Sequence, residues 1–109
     1  MKIKISETIY EIKFVKSIKY GGDTCYGIIH WAGRNDKGYP KKKGTIIEVV
    51  EKEGMDQTIL HEITHALLAE LSEKKPHLKR LADKCNNDEN FVNELSILMM
   101  DCFNIKETR

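Results

Sequence analysis

The spacing of apolar residues changes near Gly54, and this change constrains the fold more than any other feature of the chain. Before it, residues 2–6 and 9–15 alternate apolar with polar residues, which is the pattern of half-buried strands. Residues 25–31 and 45–50 are rich in β-branched and aromatic residues and are also predicted to be strands. The first half is therefore expected to form a small sheet.

Two polar segments interrupt these strands. Residues 20–23 read Tyr-Gly-Gly-Asp, which predicts a turn. Residues 32–44 contain too many Gly, Pro and Lys residues for regular structure and are predicted to be a loop. The basic run at 41–43 lies in that loop, and we interpret it as a solvated segment.

After Gly54 the apolar residues recur at helical spacing. A first helix is predicted from Asp56 or Thr58, either of which can cap it, to about residue 74, before Pro76. Shorter patterns predict helices at 77–85 and 89–103. Strands followed by helices predict one α+β domain over residues 1–109, with a small N-terminal sheet packed on a helical layer.

Composition excludes several functional classes. The formal net charge of the chain is +1, which gives no long-range attraction to nucleic acid or to acidic membranes. The three cysteines are far apart and form no CxxC pair, so neither a disulfide framework nor a cysteine zinc site is expected. Without an apolar run of membrane-spanning length or a signal-peptide core, we expect a cytoplasmic protein that binds neither membranes nor nucleic acid.

The first predicted helix carries the sequence TILHEITHALLAEL, residues 58–71. A helix advances roughly 100° per residue, so His61 and His65 lie one turn apart on the same face. That face is nearly opposite the main apolar arc, which comprises Ile59, Leu60, Ile63, Ala66, Leu67 and Leu71. Because Leu68 and Ala69 share their side of the helix, we expect the histidines to line a half-buried cleft wall.

This H-E-x-x-H spacing is typical of a catalytic zinc site. Two imidazoles at this spacing can bind one Zn²⁺ through their ring nitrogens. Glu62, next to the first histidine, can take a proton from a zinc-bound water and pass it to the leaving amine. The alternative is a helix that carries two surface histidines and no metal.

A catalytic zinc needs a third protein ligand, which must come from elsewhere in the chain. Metzincins carry a histidine six residues after the second ligand, and Leu71 occupies that position here. The glycine of the metzincin motif is replaced by Leu68, so that class is excluded. We favour Glu89, at the start of the last helix, over Glu94, although Glu89 could simply be a carboxylate favoured by the helix dipole. The downstream candidates are His77, Asp83, Asp88, Glu89 and Glu94.

With these residues the chain resembles a small gluzincin, and in particular the ImmA/IrrE-like metallopeptidases and their compact phage relatives. The resemblance lies in LHEITHALL, residues 60–68, and in Glu89-x-x-Val92-Asn93-x-Leu95-Ser96. It covers the C-terminal half, whereas the N-terminal half matches only in layout. Val92 departs from the alanine of the family pattern. The resemblance implies a zincin-like fold, His61, His65 and Glu89 as zinc ligands, and peptide hydrolysis.

The resemblance also implies that an extended peptide lies along an edge strand, either residues 26–31 or residues 45–50. His30, Tyr26 and Tyr39 are possible oxyanion helpers, although strand or loop residues without a chemical role are the commoner case. Asn93 is a possible hydrogen-bond partner for a zinc-binding histidine.

Two other functions remain open from the sequence. The chain could be a metal-bearing regulatory module that holds a peptide or protein in its cleft and cuts nothing. It could also be a structural domain without metal. Metal content and activity on peptides separate these alternatives from a zinc metallopeptidase.

Overall fold

The computed structural model describes residues 1–30 and 45–103. The chain forms two compact units, an N-terminal unit of residues 1–55 and a C-terminal unit from Asp56 onward. Strands make up the first unit and helices the second, so the α+β class is confirmed. The loop predicted at 32–44 lies outside the described residues.

The N-terminal unit contains a mixed sheet of four strands in the order β1-β2-β6-β5. Strand β2 pairs antiparallel with β1 and parallel with β6, and β5 pairs antiparallel with β6. Strands β3 and β4 form a separate two-stranded sheet. The strands are β1 (Lys2–Ile5), β2 (Thr8–Val15), β3 (Ile18–Tyr20), β4 (Asp23–Cys25), β5 (Gly27–His30) and β6 (Thr45–Val50).

The two central strands supply the buried face of this sheet. The parallel register aligns Tyr10 with Thr45 and Ile12 with Ile47, and all four side chains are buried. The neighbouring positions on β2, such as Ile9, are exposed, as the period of two predicts. Buried residues of β2 therefore recur at every second position from Thr8 to Ile12.

The strand predicted over residues 25–31 is wrong in its extent. Cys25 ends β4, Tyr26 lies between strands, and β5 begins at Gly27. The structure adds the hairpin of β3 and β4, whose turn contains Gly21 and Gly22 at φ values of 62° and 87°. Two consecutive residues with positive φ favour glycine, which explains the turn signal in the sequence.

The three helices of the second half match their predicted positions. They are α1 (Met55–Lys74), α2 (Lys79–Asn86) and α3 (Glu89–Phe103), with a 3₁₀ turn at Pro76–Leu78 between α1 and α2. Gly54, at φ 86°, precedes α1, and Asp56 lies in its first turn. No helix among the described residues is both long and apolar enough to cross a membrane.

Helix α2 runs back along α1 in the opposite direction. Near the end of α1, Ser72 Oγ donates to Asp83 Oδ1 at 2.5 Å. Two turns earlier on α1, His65 Nδ1 lies 2.6 Å from Oδ1 of Asn86, the last residue of α2. This antiparallel return brings the start of α3 close to the histidines of α1.

The apolar arc predicted for α1 is only partly buried. Ile59, Leu60 and Ala66 are buried, but Leu67 and Leu71 are exposed. Polar side chains occupy other buried positions of the helix, including Thr64, Glu70 and Ser72. Hydrogen bonds make this possible, because Thr64 Oγ1 donates to the Leu60 carbonyl at 2.7 Å and Ser72 donates to Asp83.

Helix α3 packs on α1. Gln57 Nε2 donates to Ser96 Oγ at 2.6 Å, and Thr64 Oγ1 lies 3.4 Å from Met99 Sδ. Val92 and Ser96 are fully buried. Other apolar residues of the pattern that predicts α3 are exposed: Phe91, Leu98 and Cys102.

Candidate metal centre

His61 and His65 lie next to each other on α1, in the half-buried position that the sequence predicts. Their side chains are 20% and 18% exposed. The ring centroids are 5.0 Å apart, and the ring planes meet at 71°. Both Nε2 atoms face the same point outside the helix, where Glu89 lies.

Glu89, the first residue of α3, lies beside this pair, although it follows His61 by 28 positions in the sequence. Its Oε2 is 3.1 Å from His61 Nε2, and its Oε1 is 3.0 Å from His65 Nε2. Each histidine therefore faces its own carboxylate oxygen. Among the described residues, His61, His65 and Glu89 form the group whose ligand atoms all lie within 4.8 Å of one another.

This donor set fits a zinc ion. With metal–ligand distances of about 2.0–2.1 Å, two ligands of a tetrahedral zinc are about 3.3 Å apart. The nitrogen–oxygen distances of 3.0 and 3.1 Å are close to that value. Two imidazoles and a carboxylate are also the ligands of several catalytic zinc sites. The Glu89 side chain is 69% exposed, so the group is open to solvent on the side of this carboxylate.

Glu62 is buried beside this cluster, with 8% of its surface exposed. Burial raises the pKa of its carboxyl from 4.5 to about 7. The charge of His65 lowers this pKa and the charge of Glu89 raises it, so the Glu62 carboxyl lies within electrostatic range of both. Such a carboxyl can both accept and release a proton near neutral pH.

His65 has a second partner on the far side of its ring. Its Nδ1 lies 2.6 Å from the side-chain oxygen of Asn86. An amide oxygen can only accept a hydrogen bond, so Nδ1 donates its proton to Asn86 and Nε2 is the nitrogen that faces Glu89. A metal bound by this group would replace any proton on Nε2 and leave the Nδ1 hydrogen bond in place.

The other candidate ligands lie outside the group formed by His61, His65 and Glu89. Asp83 accepts hydrogen bonds from Ser72 and Lys79, and these bonds, the one from Lys79 foremost, lower the pKa of its carboxyl. Asp88 Oδ1 accepts from the Phe91 amide at 3.0 Å and so caps α3. His77 is exposed in the 3₁₀ turn, and Glu94 is exposed on α3 outside the cluster.

Of the possible oxyanion helpers, Tyr26 and His30 belong to the N-terminal unit and Tyr39 lies outside the described residues. His30 Nε2 is 2.6 Å from Glu48 Oε1. Lys52 Nζ lies 3.8 Å from the centre of the Tyr26 ring. The structure thus gives each of the two described residues a structural partner.

The sequence does not predict the contact of Asn86 with His65. Asn93, which the sequence suggests as a possible partner of a zinc-binding histidine, has an exposed side chain, and its backbone carbonyl accepts from Ser96 Oγ at 2.8 Å. Asn86 contacts His65 because α2 runs antiparallel to α1, which brings the end of α2 next to this histidine. The sequence does carry an indication of this contact, because Asn86 lies only three positions before Glu89, the favoured third ligand.

No protein-family model matches the chain, and no curated protein or solved structure matches it significantly.

Proposed function

We propose that this chain is a zinc-dependent metallopeptidase of zincin-like fold, with His61, His65 and Glu89 as zinc ligands. One observation carries the proposal: the two Nε2 atoms face the two oxygens of one carboxylate at 3.1 and 3.0 Å. The H-E-x-x-H spacing indicates that the reaction is metal-assisted hydrolysis. The substrate class, a peptide or protein, is the one that the gluzincin resemblance implies.

A zinc ion held by these ligands would polarise the scissile carbonyl and make a water molecule acidic enough to react near neutral pH. The chain's own residues account for the remaining requirements. Three ligands leave one position of a tetrahedral site open, and the exposed Glu89 carboxylate places the group where solvent reaches it. The half-buried rings limit competition by bulk water for the Nε2 atoms.

Glu62 is the proton carrier of this mechanism. Its carboxylate takes a proton from the attacking water as the oxygen–carbon bond forms. The protonated carboxyl then gives that proton to the amide nitrogen as the carbon–nitrogen bond breaks. The overall reaction consumes one water and produces a carboxylate and an amine. A positive ion beside Glu62 would lower its pKa and favour the carboxylate before attack.

The proposal is tested by zinc content and peptide hydrolysis, measured on protein prepared without a histidine tag. We expect about one zinc per wild-type chain by elemental analysis. Glu89→Ala should lose the zinc, whereas Glu94→Ala should keep it. The second variant is a matched control, since it removes the same type of side chain from an exposed site on the same helix.

Hydrolysis of a mixed peptide library then separates an enzyme from a binding module. We expect cleavage products with the wild type and none with Glu89→Ala. Zinc bound without any product would favour the regulatory module. Wild-type protein that takes up no zinc, even when zinc is added, would contradict both functions.

A further inference from the structure

The hydrogen bond between Asn86 and His65 is a contact of a candidate ligand that the H-E-x-x-H motif does not imply. The distance from His65 Nδ1 to Asn86 Oδ1 is 2.6 Å, which is short for a neutral pair. The His65 side chain is only 18% exposed. Water therefore competes weakly for this bond.

The bond determines which nitrogen of His65 is available to a metal. A neutral imidazole has one protonated nitrogen and one free lone pair. With its oxygen toward the ring, Asn86 accepts a hydrogen bond from Nδ1 and keeps a proton there. Nε2, the atom that faces Glu89 Oε1 at 3.0 Å, is then the nitrogen that would bind a metal.

A short turn fixes Asn86 and Glu89 relative to each other. Asn86 ends α2 and Glu89 begins α3, so two residues separate them. The Asn87 amide donates to the Asp83 carbonyl at 3.1 Å, and the Asp88 amide donates to the Cys85 carbonyl at 3.2 Å. This turn therefore holds His65 at both ring nitrogens, by Asn86 on one side and Glu89 on the other.

We infer that Asn86 is a positioning residue that holds His65 in the Nδ1-protonated form and directs its Nε2 toward the metal. The inference rests on the proposed function, since it assigns Asn86 a role toward the same zinc ion.

The first test is zinc affinity, measured by competition with a chromophoric chelator. Loss of a partner of this kind typically costs 10–100-fold in metal affinity, and we expect a loss of about that size for Asn86→Ala. Asn86→Asp retains an acceptor and should recover most of the affinity. Asn87→Ala removes the side-chain amide of the neighbouring, exposed asparagine, and this variant should bind zinc like the wild type. An Asn86→Ala affinity within about twofold of the wild type would overturn the inference.

The second test reads the proton position directly and needs no zinc. Long-range ¹H–¹⁵N spectra are recorded at pH 8.5, where an ordinary imidazole is neutral, on metal-free Glu89→Ala, which lacks the carboxylate that faces Nε2. We expect His65 to be protonated at Nδ1 in this variant, and to lose this preference when Asn86→Ala is added, if the double variant folds. Protonation at Nε2 in Glu89→Ala would overturn the inference even if the wild type binds zinc. If Nδ1 is protonated but the wild type takes up no zinc, the proposed function fails and the role of Asn86 in fixing His65 stands.

Discussion

At the scale of single residues, Glu62 is a buried carboxyl on the helix that carries both histidines. It lies on a well-formed helix next to His61, yet its side chain is buried and its carboxyl has a pKa raised to about 7. Burying a carboxylate costs free energy, so a folded chain retains such a residue only at an expense in stability. The role proposed for Glu62, which is to move a proton from water to the leaving group, would account for this cost in stability.

We therefore predict that Glu62→Gln keeps zinc and loses peptide hydrolysis. Glutamine has nearly the same shape but cannot accept and release a proton, and loss of a general base costs about 10²–10⁴-fold in rate. Turnover at equal zinc content, by elemental analysis and a peptide assay, is the measurement. Glu94→Gln makes the same change on the exposed side of α3 and should leave the rate unchanged. A Glu62→Gln rate within tenfold of the wild type would show that another group carries the proton.

At the scale of elements, Asp83 ties α2 to α1 and strengthens α2 itself. Its carboxylate accepts from Lys79 Nζ at 2.7 Å within α2 and from Ser72 Oγ at 2.5 Å on α1. These bonds lower the pKa of Asp83 below its ordinary 3.8. A carboxyl with a lowered pKa stabilises the folded state above that ordinary value, and this stabilisation is lost as the pH falls through the folded-state pKa.

The prediction is that Asp83→Asn destabilises the protein near neutral pH and has much less effect in acid. Because the Asp83 side chain is 39% exposed, solvent screens the ion pair, and we expect a loss of about 0.5–1 kcal/mol at pH 7. Chemical denaturation of wild type and variant at pH 7 and pH 3 gives the two differences. Asp101→Asn, at an exposed position of α3, is the control. An equal loss of unfolding free energy at both pH values would mean that the charge of Asp83 does not contribute to stability.

Local sequence patterns predicted most of these elements but only part of their packing. The helix boundaries followed from Gly54 and Pro76, because both residues act on the backbone next to them. The buried sides of α1 and α3 did not follow, because Thr64 and Ser96 are buried through hydrogen bonds that apolar periodicity does not reveal. The same holds for Asn86, whose position depends on how α2 returns along α1.

At the scale of the whole molecule, the folded state relies on non-covalent interactions. The chain has 109 residues, a size at which the core is modest. All three cysteines are free, so no disulfide restricts the unfolded chain. A metal ion held by residues from two helices would join segments 28 residues apart in sequence and contribute a large share of the stability.

We accordingly predict that zinc raises the melting temperature and that a chelator reverses the effect. A ligand that binds only the folded state, at 100 times its Kd, stabilises it by about 2.7 kcal/mol. For a domain of this size that corresponds to roughly 10–20 °C in Tm. Circular dichroism at 222 nm, followed on heating with zinc and with a chelator, measures the shift of the helices. Glu89→Ala should show no shift and Glu94→Ala the full shift. A wild type that binds one zinc without any change in Tm would mean that the ion binds the unfolded chain equally well, which would exclude a site formed by folding.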